Sequence, residues 1–147
     1  MLDSYYYQFK TIKDAYFYHI KQLNKSNLHL VVVLGAFCAE LGLKTIHEYR
    51  NRTKGKYGKI IESDNSSWKT HSIKKLFNLQ DGKDKSNLIS KFNKEYTPKE
   101  FSELLKVISN NFVEWRYYLN HDSLKTNLFL MSDLLNAIDL TIQDIDW

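Results

Sequence analysis

The chain has 147 residues, 43% of them hydrophobic, which suits one domain (residues 1–147) built on one core. With only 5 Gly and 1 Pro, the composition favours helices over a turn-rich β fold. The net charge of +4 permits nucleic-acid contact without requiring it, and the lone Cys38 excludes an intrachain disulfide and a cysteine-based zinc site.

The first helix is expected from Asp3 to about Asn24, with Phe9, Ile12, Tyr16 and Ile20 at helical spacing and Lys10, Lys13 and Lys21 outside. Asn24-Lys25-Ser26-Asn27 breaks the pattern. A second helix then runs to Arg50, apolar nearly all round through Val31, Leu34, Phe37, Cys38, Leu41 and Ile46, which marks a central buried helix. Its run Leu30–Ala39 is short for a membrane span, and the N-terminal residues lack the basic-then-apolar order of a signal peptide, so a cytoplasmic protein without a membrane partner is expected.

Residues 51–66 carry Gly55, Gly58 and Asp64-Asn65 and read as a basic loop. Ser66 or Ser67 is placed to cap a third helix, Trp68 to Leu79, with Ile73, Leu76 and Phe77 inward. A short helix is expected over Lys85–Phe92. Thr97-Pro98-Lys99-Glu100 is a capping box with proline at the first helical position, and that helix is expected to reach Asn120. Asp122 or Ser123 starts the last helix. Its apolar seam, from Leu124 and Leu128 to Ile142 and Ile145, alternates three and four apart and reads as core. The expected product is an all-α, up-and-down bundle of four main helices with one or two short extra helices.

Charge is unevenly spread. Arg50, Arg52, Lys54, Lys56 and Lys59 come with no acid between them, whereas Asp133, Asp139, Asp144 and Asp146 follow the last basic residue, Lys125. The basic run is a candidate RNA-backbone contact through Arg50, Arg52, Lys54 and Lys56. His19, His29 and His47 lack metal-ligand spacing among themselves and read as surface or packing residues.

Four residues separate Arg116 from His121. An imidazole moves a proton near neutral pH, and a guanidinium fork stabilises charge developing on a phosphate. Five residues along a helix turn the direction by roughly 140° and rise about 7.5 Å, so the pair does not share a face of one straight helix. The two converge if the helix ends at Asn120 and His121 turns back, or if they meet across a two-fold axis of two copies.

Residues 36–46 (AFCAELGLKTI), 70–77 (THSIKKLF) and 112–117 (FVEWRY) together resemble the HEPN domain family of prokaryotic helical bundles, and its Trp-Arg-Tyr subgroup. Residues 36–46 resemble the family's second helix, and residues 70–77 its histidine-bearing helix. Residues 112–117 resemble the helix that carries its arginine, and the order of the three agrees over most of the chain. The resemblance implies a metal-independent endoribonuclease of defence or toxin–antitoxin type, needing no metal or other cofactor. Its composite site would lie between two copies, with Arg116 stabilising the phosphorane and His121 acting as acid or base. Glu40, His71, Tyr117 and Asn120 are candidates to support that site, and a cognate antitoxin or other partner protein is implied. Active members place a polar residue after the arginine, where this chain has Tyr117. The alternatives are therefore a non-catalytic module of the same kind, binding a protein or nucleic acid, and an unrelated helical inhibitor or assembly subunit. From the residues alone, His71 is expected to bond a neighbouring carbonyl or pack beside Trp68. Glu40, costly to bury unpaired, is expected to pair with an Arg or Lys across the bundle, Arg116 being the candidate.

Overall fold

A computed structural model describes residues 4–55, 68–93, 95–114 and 121–145; for Ser4, Val107, 109–114 and 121–127 the description is of the helical backbone. Every regular element among the described residues is a helix: α1 (Ser4–Ile20), α2 (Leu28–Thr53), α3 (Ile73–Asn78), α4 (Gly82–Asn93), α5 (Pro98–Glu114) and α6 (His121–Asp144).

Local chemistry explains where these helices start and stop. After α1, the Asn24 side chain accepts from the Ser26 and Asn27 backbone N–H groups at 2.7 and 3.1 Å, and Asn27 donates back to the His19 carbonyl. These side-chain bonds compete with helix and end α1 at Ile20, earlier than periodicity suggests. Gly55, at φ 77°, closes α2 by donating to the Arg52 carbonyl, so α2 runs a turn further than expected. Ser72 caps α3 by accepting from Lys75 N–H at 3.2 Å, which starts that helix at Ile73 rather than Trp68. Ser66 and Ser67 lie outside the described residues. Helix α4 is longer than expected at both ends; α6 is helical from His121, where the described residues resume, and residues 115–120 before it lie outside them. The Thr97 cap on α5 forms as expected, its hydroxyl accepting from Glu100 N–H at 3.1 Å.

Helix α2 packs against α1, α3, α5 and α6. Two of its glycines fix the register. A Cβ at Gly35 would lie 2.8 Å from Met131 and 2.9 Å from the Tyr16 ring, and one at Gly42 would overlap Ile138 and Phe9. Position 35 therefore faces 16 and 131, and position 42 faces 9 and 138. Helix α1 runs antiparallel to α2, and α6 runs parallel to it. Phe9, Tyr16, Leu43, Leu134 and Ile138 are fully buried between them. The apolar seam of α6, from Leu128 to Ile145, is buried in the same core; Leu124 has no side-chain description. Helix α2 contains a stretch long and apolar enough to cross a membrane, but 67% of it is buried against the other helices, the pattern of a core helix.

The charges that are segregated in sequence are brought together. Asp139, only 4% exposed, accepts from Lys13 at 2.9 Å, Lys10 at 3.2 Å and Tyr6 at 3.4 Å. Lys13 and Lys10 thus do not simply project into solvent: the acidic last helix neutralises the basic first one. Burial raises the Asp139 carboxyl, yet the hydrogen bonds from Lys13, Gln143 and Lys10 outweigh it and hold that group below its ordinary value.

Candidate functional site

Of the residues expected to carry chemistry, Arg116, Tyr117 and Asn120 lie outside the described residues. His121 is the first residue of α6. Because Met131 faces Gly35, His121 lies about 15 Å back along the parallel α2 axis, level with the Asn24–Asn27 turn. The basic residues sit at the other end: Arg50 is about 33 Å from Leu28 along the same helix. The two groups proposed from sequence therefore occupy opposite ends of α2 in one chain.

Much of that basic charge is already engaged. Arg50 forks onto Asp84 through Nε at 2.9 Å and a terminal nitrogen at 2.7 Å, and Asp84 is only 2% exposed. The hydrogen bonds to Asp84 raise the Arg50 guanidinium above its ordinary value. Lys54 pairs with Asp81 at 2.7 Å, and Arg52 lies over the Tyr49 ring at 5.5 Å. Lys56 lies outside the described residues. Asp81 and Asp84 are distant in sequence, so the local absence of acids misrepresents the field at this end of the fold.

Two of the supporting candidates do meet. His71 Nδ1 lies 2.8 Å from Glu40 Oε1, although the residues are 31 apart in sequence. Lys44, one turn along α2, donates to the same oxygen at 2.8 Å. The Glu40 side chain is 8% exposed and that of His71 is 86% exposed. Two ties set this approach. The Ser72 cap turns the chain into α3 immediately after His71, and Gln80 beyond α3 donates to the Leu43 carbonyl of α2 at 2.8 Å. The Gln80 bond holds the far end of the α3 segment on α2, and the His71–Glu40 contact holds the near end.

His71 thus bonds the Glu40 carboxylate and not a neighbouring carbonyl. Trp68 stacks instead on His47, with ring centroids 3.6 Å apart and planes 11° from parallel. Among the described residues Glu40 is satisfied by Lys44 and His71; its expected partner Arg116 lies outside them. A carboxylate on Nδ1 fixes the proton there and leaves Nε2 to accept or deliver one. Among the described residues, no three His, Cys, Asp or Glu side chains group as a metal site.

Beside this pair is a cleft of about 320 Å³ lined by Val33, Ala36, Phe37, Glu40 and His71. Phe37, read from sequence as core, is 45% exposed here. Nothing in the apolar run distinguished it, because a helix that is apolar nearly all round hides which apolar residue faces outward. The Glu40–Lys44 spacing of four was the legible signal for an ion pair within α2. Compared with known proteins, the chain matches no family model, no curated protein and no solved structure.

Proposed function

We propose that the chain is a HEPN-like, metal-independent endoribonuclease, a toxin or phage-defence effector acting in the cytoplasm, whose site is completed by two copies. The observation that carries the reading is the Glu40–His71 contact: it joins two of the three stretches on which the resemblance rests. The parallel run of α2 and α6, with α1 against both, is what an up-and-down arrangement of α1, α2, α5 and α6 requires. In this reading the ribose 2′-oxygen attacks the adjacent phosphorus and the 5′-oxygen leaves. His121 removes the 2′-hydroxyl proton or protonates the leaving oxygen, and Arg116 neutralises charge on the phosphorane. The products are a 2′,3′-cyclic phosphate and a free 5′-hydroxyl.

The test is cleavage of structured and unstructured RNA in chelator. Wild type is expected to cut, and His121→Ala and Arg116→Ala are each expected to lose roughly 100-fold or more. Absence of cleavage by wild type, or equal cleavage by all three, sinks the proposal. The exposed aromatics Tyr7 and Tyr18 on α1, 67% and 60% accessible, favour a second reading: a non-catalytic module that docks a partner protein or nucleic acid. RNA binding without turnover, unchanged in His121→Ala, is its signature.

A further inference from the structure

The uncompensated basic charge of this fold lies elsewhere than the basic run of its sequence. Residues 68–93 carry Lys69, Lys74, Lys75, Lys83, Lys85 and Lys91 against two acids, Asp81 and Asp84. Both acids are drawn away by α2: Asp84 takes the Arg50 fork, and Asp81 takes Lys54 at 2.7 Å. Lys74 pairs with Glu103 and Lys91 with Asp144, each at 3.1 Å. The other four lysines make no ion pair among the described residues, and Lys69, Lys75 and Lys83 are exposed.

Two of these lysines converge on one cleft. It encloses about 370 Å³ and is lined by Thr70, Lys75, Asn78 and Leu79. Lys85 reaches it from α4, its Nζ donating to the Asn78 carbonyl at 3.3 Å, which satisfies the end of α3. The uncharged side chains present donors as well. Asn78 Oδ1 accepts from Ser102 Oγ at 3.2 Å, which leaves the Nδ2 amino group as the free end of that amide. The Thr70 oxygen accepts from Ser72 N–H at 3.1 Å, which leaves its own proton to donate. With its acceptors engaged and no carboxylate in its lining, the cleft offers N–H and O–H donors and positive charge, the chemistry that receives an anionic oxygen.

We propose that this cleft holds a phosphate of the RNA backbone, with Lys75 and Lys85 as its counter-ions and Asn78 Nδ2 and Thr70 Oγ1 donating to its oxygens. Directional donors within a cleft suit one phosphate group, whereas a bilayer surface needs only diffuse positive charge. The inference rests on the RNA-directed reading above and places the strand on the fold. The α3 segment lies on α2 at Glu40 and Leu43, and His121 lies on the other side of Gly35, so the two are roughly 22–27 Å apart along α2 in one chain. The cleft therefore anchors the strand away from the scissile bond and without a choice of base.

The experiment measures fluorescence anisotropy of a labelled, unstructured RNA on the full chain carrying His121→Ala, so that RNA is not consumed, over a range of salt. Each phosphate contact to a single strand adds roughly 0.7 to the fall of log affinity with log salt. Lys75→Gln and Lys85→Gln are each expected to lower that slope by about 0.7, and the double variant by about 1.4, a deficit about 25-fold larger at ~0.1 M salt than at ~1 M. Lys91→Gln removes the same charge from a paired lysine and is expected to leave the slope unchanged. Asn78→Asp still accepts from Ser102 but turns the amide donor into a carboxylate, so it should weaken binding at least as much as either lysine variant. No RNA binding, an unchanged slope in the double variant, or an equal fall in Lys91→Gln overturns the proposal. Loss of binding to phosphatidylserine vesicles with RNA binding intact in the double variant overturns it too. Wild-type cleavage with no change of slope in the double variant overturns this inference alone. The expected slopes without wild-type cleavage support it and remove the nuclease.

Discussion

Replacing Asp139 by Asn removes one charge while preserving shape and most hydrogen-bonding capacity. Asp139 joins α6 to α1 through two lysines, Lys13 at 2.9 Å and Lys10 at 3.2 Å. Breaking a buried ion pair from one side costs about 3–5 kcal/mol, because the remaining charge is left without its counter-ion. Here the lysine side chains are 16% and 43% exposed, so both regain some hydration, and a loss of about 2–3 kcal/mol follows. For a chain of this length that corresponds to a fall in Tm of roughly 5–10 °C. Denaturant titration of wild type, Asp139→Asn, Lys13→Met and the double variant isolates the pairwise part, expected at about 1–2 kcal/mol. The pH dependence has a definite sign. The folded carboxyl lies below its ordinary value, so its contribution is full above about pH 5 and is lost as pH falls through the folded value. Wild type and Asp139→Asn should therefore converge in acid. A loss under about 0.5 kcal/mol at neutral pH, or no coupling to Lys13, would refute the reasoning.

The remaining consequences concern packing and reactivity. Gly42→Ala drives a methyl into Ile138 and Phe9; an overpacking cost of about 1–3 kcal/mol should exceed the gain of about 1 kcal/mol in helix propensity, lowering the denaturation midpoint. Gly82→Ala meets nothing within 4 Å and should leave the midpoint unchanged or raise it, so equal losses at both positions would contradict the register. Arg50→Lys loses the two-pronged contact with Asp84 and should cost about 1–2 kcal/mol, whereas Arg50→Ala, leaving a buried carboxylate unpaired, should cost about 3–5 kcal/mol by the same titration. Cys38 is fully buried, donates to the Phe9 carbonyl at 3.6 Å, and has its thiol pushed well up by burial. A thiol reagent should leave it unmodified in native buffer and modify it in denaturant, and fast native labelling would contradict that placement.

The sequence carried the helices well where local chemistry is strong. Thr97-Pro98-Lys99-Glu100 marks the start of α5 because a cap is a short-range bond between residues three apart. The seam of α6 marks its buried face because apolar spacing follows the helix itself. What failed were long-range pairings. Arg50 and Lys54 read as free cations because Asp84 and Asp81 are 34 and 27 residues away. The acidic residues near the end of the chain stand apart from basic ones in sequence, yet Asp139 bonds Lys10 and Lys13 of α1. For the candidate site, Glu40 and His71 were singled out separately, and their contact, between residues 31 apart, comes from the fold laying the α3 segment on α2, where Gln80 also bonds the Leu43 carbonyl. Phe37 was hidden by the uniform apolarity of its own helix.

The central claim is a site shared by two copies, and mixing two dead variants tests it most directly. Arg116→Ala and His121→Ala, denatured together and refolded as one sample, distribute into homodimers and mixed dimers. Each mixed dimer regains one intact arginine–histidine pair, so the mixture should recover about a quarter of wild-type RNA cleavage in chelator while each variant alone stays inactive. A mixture no more active than its two components, beside an active wild type, would contradict the shared site.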